Sequence, residues 1–238
     1  ARTLIYNNSG GRKKRTINRK LRFLDGLLRN ADVVHLQEVK GNEEDVYQLL
    51  GRRYDASFAL IYSPSPNIKT GGVLTMIRRT LFEDEHLSLS STVPQGFEGR
   101  ALLTAIQGDN TQVLFMQIHN FGLSSDKTRT LLDWIEGFRD EAQQQPWRST
   151  MFVSGDFNFS AEGEFIQYIT NNSLNKEHDE VMHGRLWHRT FRGMTELHQP
   201  LPTRFGRDGV SMSFSRIDRH YTTQPTRTIE ESETTTDS

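Results

Sequence analysis

Four times along this chain a short apolar run delivers a polar side chain at its C-terminal end. Residues 3–6 lead into Asn7, residues 31–36 into Gln37 and Glu38, residues 113–118 into His119, and residues 151–153 into Gly155-Asp156-Phe157-Asn158. Runs of this length, bounded by turn residues, read as buried strands, and the polar ends of strands in one sheet converge in space. Further strands are expected at 54–62, 73–77, 100–106 and 213–220. Ile17, Leu21, Leu24 and Leu28 recur at helical spacing, as do Leu131, Trp134, Ile135 and Phe138. Shorter helices are expected near 42–50 and 162–170. Strands and helices alternate with no internal repeat and no linker, which predicts a single α/β domain over residues 1–221. Residues 222–238 are mostly Thr, Glu, Ser and Asp, with Ile229 the one aliphatic residue to bury, and predict a polar flexible tail.

Bulk properties narrow the chemistry. The 238 residues are ample for a core, and a formal net charge of −1 announces no polyanionic partner, so any such signal is local. The absence of cysteine excludes disulfides, thiolate metal sites and a cysteine nucleophile. No apolar run approaches the roughly 20 residues that span a bilayer, so a membrane partner is not expected.

Locally, the run after residue 150 is the most informative. Side chains alternate in extended backbone, so Asp156 and Asn158 are expected to project together while Phe157 turns to the core. A carboxylate beside a carboxamide suits Mg²⁺, a water nucleophile or a phosphate oxygen; an Asp/Asn turn at a strand end is the competing reading. Glu38 reads as a metal ligand or a rim charge, and His119 as a catalytic or a structural histidine. Arg12, Lys13, Lys14, Arg15, Arg19, Lys20 and Arg22 form a basic run with no acid before Asp25, read as a solvated helix face or a contact for backbone phosphates. His178, His183 and His188 have no tidy ligand spacing and no metal is assigned to them.

Taken together these residues resemble the endonuclease/exonuclease/phosphatase superfamily, which includes apurinic-site endonucleases and LINE-type retrotransposon endonucleases. Tyr6-Asn7-Asn8-Ser9-Gly10 is similar to its first motif and Leu36-Gln37-Glu38 to its L-Q-E. Gly71-Gly72-Val73, Gly99-Arg100 and Gln117-Ile118-His119 are similar to further landmarks. Gly155-Asp156-Phe157-Asn158 matches G-D-F-N and Ser215-Arg216-Ile217-Asp218-Arg219 matches S-R-I-D-R. Thr203-Arg204 is most similar to the retrotransposon branch. The resemblance implies an α/β four-layered sandwich of two stacked mixed β-sheets flanked by helices. It implies that Glu38, with Asn7 close by, binds Mg²⁺ (Mn²⁺ as the alternative) and that Asp156 orients or deprotonates the attacking water. Asn158 would hold the phosphate and His119 would contact it or assist as an acid. Arg100 and Arg204 join Arg12, Lys13, Lys14 and Arg15 as candidate nucleic-acid contacts.

The family's final Ser-Asp-His motif, whose histidine Asp218 would orient, does not follow Asp218. Two explanations are carried: a chain cut before its last strand, which is preferred, or a natural variant without the histidine. Poor turnover by this chain is expected in either case. The expected function is Mg²⁺-dependent nicking of DNA for target-primed insertion of a retroelement, within a larger reverse-transcriptase polyprotein and in the nucleus. The alternatives are another phosphoesterase of the same fold, acting on RNA 3′ ends or phosphoinositides, and a catalytically dead nucleic-acid-binding module. A lipid substrate would call for an exposed aromatic loop, for which Phe97 is the candidate.

Overall fold

Asn42 caps the helix that follows it: its side chain accepts the Asp45 amide, and Glu43, Glu44 and Asp45 complement the positive end of the helix dipole. This helix, α2 (Glu43–Tyr54), follows α1 (Gly11–Asn30) and strand β1 (Val33–Val39) and precedes β2 (Phe58–Ser63) and β3 (Gly72–Arg78). The remaining elements are β4 (Ser88–Thr92), β5 (Ala101–Gln107), β6 (Gln112–His119), α3 (Ser125–Gln144), β7 (Ser149–Asp156), β8 (Ile166–Tyr168), β9 (Leu174–Asn175), β10 (Thr195–Glu196), β11 (Arg204–Asp208), β12 (Ser211–Ser215) and β13 (Asp218–Thr222). These come from a computed structural model that describes residues 11–67, 70–120, 123–144, 148–158, 166–168, 174–175, 186–197, 204–208, 211–215 and 218–225. The expected strand at 3–6, and with it Asn7, lies outside them. The chain divides into two compact bodies, Arg2–Ile118 and His119–Ser238 with Ala1.

In the first body β1, β3 and β2 form an antiparallel sheet in that order, and β4, β5 and β6 pair antiparallel in sequence. Alternation along β3 sets the layers. Leu74 and Met76 face a core made with Leu21, Leu24 and Leu28 of α1 and Val46, Leu50 and Tyr54 of α2. Thr75 points the other way and donates to Gln117 Oε1 of β6 at 3.1 Å. Helices, first sheet and second sheet are therefore stacked, giving the α/β sandwich of two sheets that the sequence predicts.

The interface between those sheets carries a buried polar ladder as well as apolar contacts. Gln117 donates Nε2 to the Leu36 carbonyl at 2.8 Å, and Gln37 donates Nε2 to the Ile118 carbonyl at 2.7 Å. His35 Nδ1 stands 3.0 Å from Thr75 Oγ1. Thr75 gives its own proton to Gln117, so the imidazole is the donor and its Nδ1–H tautomer is fixed. Such groups are tolerated at 0–5% exposure for Thr75, Gln117 and Gln37 because each has a partner.

In the second body β10, β13 and β7 pair antiparallel, and β11, β12, β8 and β9 form a four-stranded sheet in that order. Two expectations are corrected here. The strand expected at 213–220 is two strands in different sheets, β12 pairing with β11 and β8, and β13 with β7 and β10. The helix expected at 162–170 contains strand β8, whose pairing with β12 overrides the local preference.

Candidate active site

Strand β7 ends by turning on its own aspartate. Asp156 Oδ1 accepts the amide of Asn158 at 2.9 Å, and Asn158 takes a left-handed backbone with φ 51°. The side chains of Asp156 and Asn158 are thus organised by a side-chain-to-backbone turn, where simple strand alternation was expected. From the end of β6, Asn120 clamps the turn, its amide donating to the Asp156 carbonyl at 2.8 Å and its Nδ2 to the Phe157 carbonyl at 2.7 Å. Phe157 points to the core as expected and is fully buried, edge-on to Trp187, Phe191 and Tyr221 with centroids 5.0, 5.5 and 5.7 Å away. The turn is therefore anchored by an aromatic cluster beneath it.

Two further predicted residues meet this turn. His119, 1% exposed, immediately precedes the clamping Asn120. Asp218 stands directly across the β13–β7 ladder from Asp156. Asp156, Asn158, Asp218 and the pair His119–Asn120 thus lie together along the backbone at this end of β7. Between Asp218 and His220, Arg219 points inward, 1% exposed, and its Nη1 donates to Glu196 at 2.9 Å. Burial holds the His220 imidazole below the usual histidine value, against the pull of Asp218 and Glu196. The unfolded chain then binds more protons than the folded one below about pH 6.5, so acid destabilises the fold through this residue. The melting temperature should fall as the pH drops through and below 6.5, and His220→Gln should flatten that slope; an unchanged slope would remove His220 from the account.

Glu38 lies in the first body, on a β-bulge. Leu36 faces Leu74 and Val39 faces Gly72, so Gln37 and Glu38 both stand opposite the single residue Val73. An extra residue of this kind bends the strand and re-aims a side chain. Glu38 sits at φ 54°; it and Asn158 are the two non-glycine residues with positive φ among those described. The Gly71-Gly72 landmark has its reason here. A Cβ on Gly71 would lie 2.6 Å from the Glu38 Cα, so only glycine lets that backbone approach. Gly99 is held likewise against Ser65, with its amide on Ser63 Oγ at 2.8 Å. The Tyr62 hydroxyl is 2.9 Å from the carbonyls of both Val39 and Gly41, and burial with the nearby Glu43 charge pushes its pKa up to about 12, so it stays a donor.

Cations gather near that carboxylate. Burial lowers the Lys20 ammonium, Lys40 and Arg19 lower it further, and Glu38 opposes them. Burial also lowers Arg100, again opposed by Glu38. A carboxylate with lysine and arginine about it suits a phosphate bound through a hard cation, and its oxygens are the donors Mg²⁺ prefers. Among the described residues no three His, Cys, Asp or Glu side chains come together as a metal cluster.

The other predicted contacts are placed less fully. Arg12, Lys13, Lys14 and Arg15 occupy the first turns of α1, with side chains outside the described set, and Arg204 opens β11 opposite Ser215. His178 and His183 lie outside the described residues, and His188 is exposed on a short helical turn. Phe97 is 4% exposed, so the aromatic expected to mark a lipid-binding loop belongs to the core. Asn120, Gln37 and Gln117 were not read as site residues from the sequence. Among the described residues, no helix is long and apolar enough to cross a membrane.

Comparisons with known proteins agree on the fold. The endonuclease domain of TRAS1, a telomere-specific non-LTR retrotransposon, aligns with a TM-score of 0.53 at 14% identity, covering 84% of this chain and 76% of that one. D. rerio TDP2, solved with a single-strand DNA product, aligns at 0.55 and 16% identity over 86% of this chain and 76% of its own. An AP endonuclease from Archaeoglobus fulgidus aligns at 0.52 and 18% identity, covering 84% and 79%. A comparison with curated protein sequences gives no match. The profile of the Endonuclease/Exonuclease/phosphatase family matches residues 8–237, nearly the whole chain, and with the strand-end residues described above it establishes that this protein belongs to that family.

Proposed function

We propose that the protein is a metal-dependent endonuclease that hydrolyses phosphodiester bonds in DNA, nicking one strand. The observation that carries the reading is conformational: Glu38 and Asn158, two residues assigned to the chemistry from sequence, are the two described non-glycine residues held at positive φ. Left-handed backbone at a residue with a full side chain costs of order 1–3 kcal/mol and clusters where function requires it. In this reading Glu38 would hold the Mg²⁺ ion, with Asn7 beside it; Mn²⁺ could replace it. Bound there, the cation would polarise a phosphate oxygen and lower the pKa of water. Asp156 takes up the proton of the attacking water, Asn158 and His119 hold the phosphate, and Asp218 would orient the histidine of the family's Ser-Asp-His motif. The likeness to a retrotransposon endonuclease supports target-primed insertion as the biological setting, with a reverse-transcriptase polyprotein and the nucleus as its context.

Nicking of supercoiled plasmid in Mg²⁺ or EDTA tests the reading, using this chain and a version continued into any sequence that follows residue 238. Metal-dependent conversion to open circles supports it. Salt-sensitive DNA binding without nicking in either form would instead make the protein a binding module. Phosphate contacts from the start of α1 should give a steep salt dependence. Replacing Arg12, Lys13, Lys14 and Arg15 together by glutamine should lessen the slope of log K against log salt by about 3 to 4, equally for all sequences. A slope left unchanged would remove the basic run from the interface.

A further inference from the structure

Glu38 is held by more than its own strand. The restraints on residues 36 to 41 come from outside the β1 ladder and fall on both sides of the carboxylate. Before it, the Leu36 carbonyl accepts from Gln117 Nε2 and the Gln37 side chain donates to the Ile118 carbonyl, a reciprocal exchange of amides between the two sheets at 2.8 and 2.7 Å. Gln117 is aimed for this by Thr75, which occupies its Oε1. After it, one Tyr62 hydroxyl reaches the carbonyls of Val39 and Gly41. Beneath it, Gly71 lies against the Glu38 Cα where a Cβ would overlap at 2.6 Å.

A strained residue persists only where its surroundings over-determine it. The bulge alone does not, because a β1 strand could slip by one residue and regain regular pairing with β3. The tethers on Leu36, Gln37, Val39 and Gly41 forbid that slip, since each bond would be lost. We propose that Tyr62 and Gln117 are positioning residues that hold Glu38 in its left-handed conformation and so set the direction in which its carboxylate is presented to a divalent cation. This rests on the reading of Glu38 as a metal ligand. Neither residue touches the cation; each acts through the backbone on either side of Glu38.

The test is Mn²⁺ affinity of the whole chain, followed by electron paramagnetic resonance, alongside thermal melting. Four variants are compared: Glu38→Gln, Tyr62→Phe, Gln117→Met and Tyr54→Phe. Tyr54 is the matched control, a tyrosine whose hydroxyl donates to Asp25 at 2.8 Å and makes no bond to the Glu38 segment. Outer partners of metal ligands typically govern affinity by 10- to 100-fold. Tyr62→Phe and Gln117→Met should each weaken Mn²⁺ binding by about tenfold or more on that scale, and Tyr54→Phe should leave it unchanged. Equal loss in Tyr62→Phe and Tyr54→Phe would assign the effect to general stability and overturn the proposal. Wild-type affinity in both Tyr62→Phe and Gln117→Met, with affinity lost in Glu38→Gln, would overturn the proposal alone. Wild-type affinity in Glu38→Gln would overturn the ligand assignment beneath it. If Tyr62→Phe does not fold, Gln117→Met decides by the same criteria.

Discussion

Replacing Asp156 by asparagine should reduce metal-dependent nicking by about 10²- to 10⁴-fold, the range supplied by a positioned proton acceptor. The substitution separates geometry from charge. Asparagine keeps an Oδ1 that can accept the Asn158 amide, so the turn closing β7 survives, while the basic carboxylate is gone. Asp218 faces Asp156 directly across the ladder, and like charges so placed repel. The variant should therefore melt at the wild-type temperature or slightly above it. Plasmid nicking and a melting curve on the same preparation check both halves. Nicking at the wild-type rate would reduce the aspartate to a turn residue, the bland reading of the same sequence.

Phe157→Ala should be the most damaging single change to the second body, at about 3–5 kcal/mol. Phe157 has no exposed surface and meets three rings edge-on, with Trp187 the nearest at 5.0 Å. Truncation leaves a cavity that the stacked Phe191 and Tyr221 rings, 4.2 Å apart, cannot close without losing their own packing. The backbone above would lose its anchor, and the Asn120 clamp on the Phe157 carbonyl with it. Urea denaturation measures the loss. Phe157→Leu, which keeps most of the volume, should cost about half as much or less. If alanine costs under about 1 kcal/mol, the aromatic cluster is not what supports the turn.

Much of this was written locally. The strand expected to deliver His119 is β6, which begins one residue before the expected run, and the stripe Leu131, Trp134, Ile135 and Phe138 lies within α3. The four strand-end positions were visible because each follows an apolar run, and three of them, Glu38, His119 and Asp156, are placed by the structure at the ends of β1, β6 and β7. What was illegible depends on partners distant in sequence. Residues 213–220 contain no glycine or proline, and nothing in them marks the change from one sheet to another. The bulge at Glu38 exists only relative to β3; its visible trace was Gly71-Gly72, whose meaning requires knowing what the glycine lies against. Phe97 is as apolar inside as out, and its burial is decided by a turn that brings its carbonyl to the amides of Arg100 and Ala101. Asn120 and Gln117 are ordinary polar residues until the backbone groups they serve are known.

The bulge in β1 has an evolutionary corollary. A strand carrying one residue more than its partner can be shortened by a single codon without breaking the sheet. Losing Glu38 itself would let Val39 follow Gln37 in register opposite β3 and relieve the left-handed backbone at that position. Such a deletion would trade the carboxylate for a more regular and more stable strand. In descendants of this sequence freed from selection for chemistry, a missing residue between Leu36 and Val39 is the change by which the loss of function would be dated.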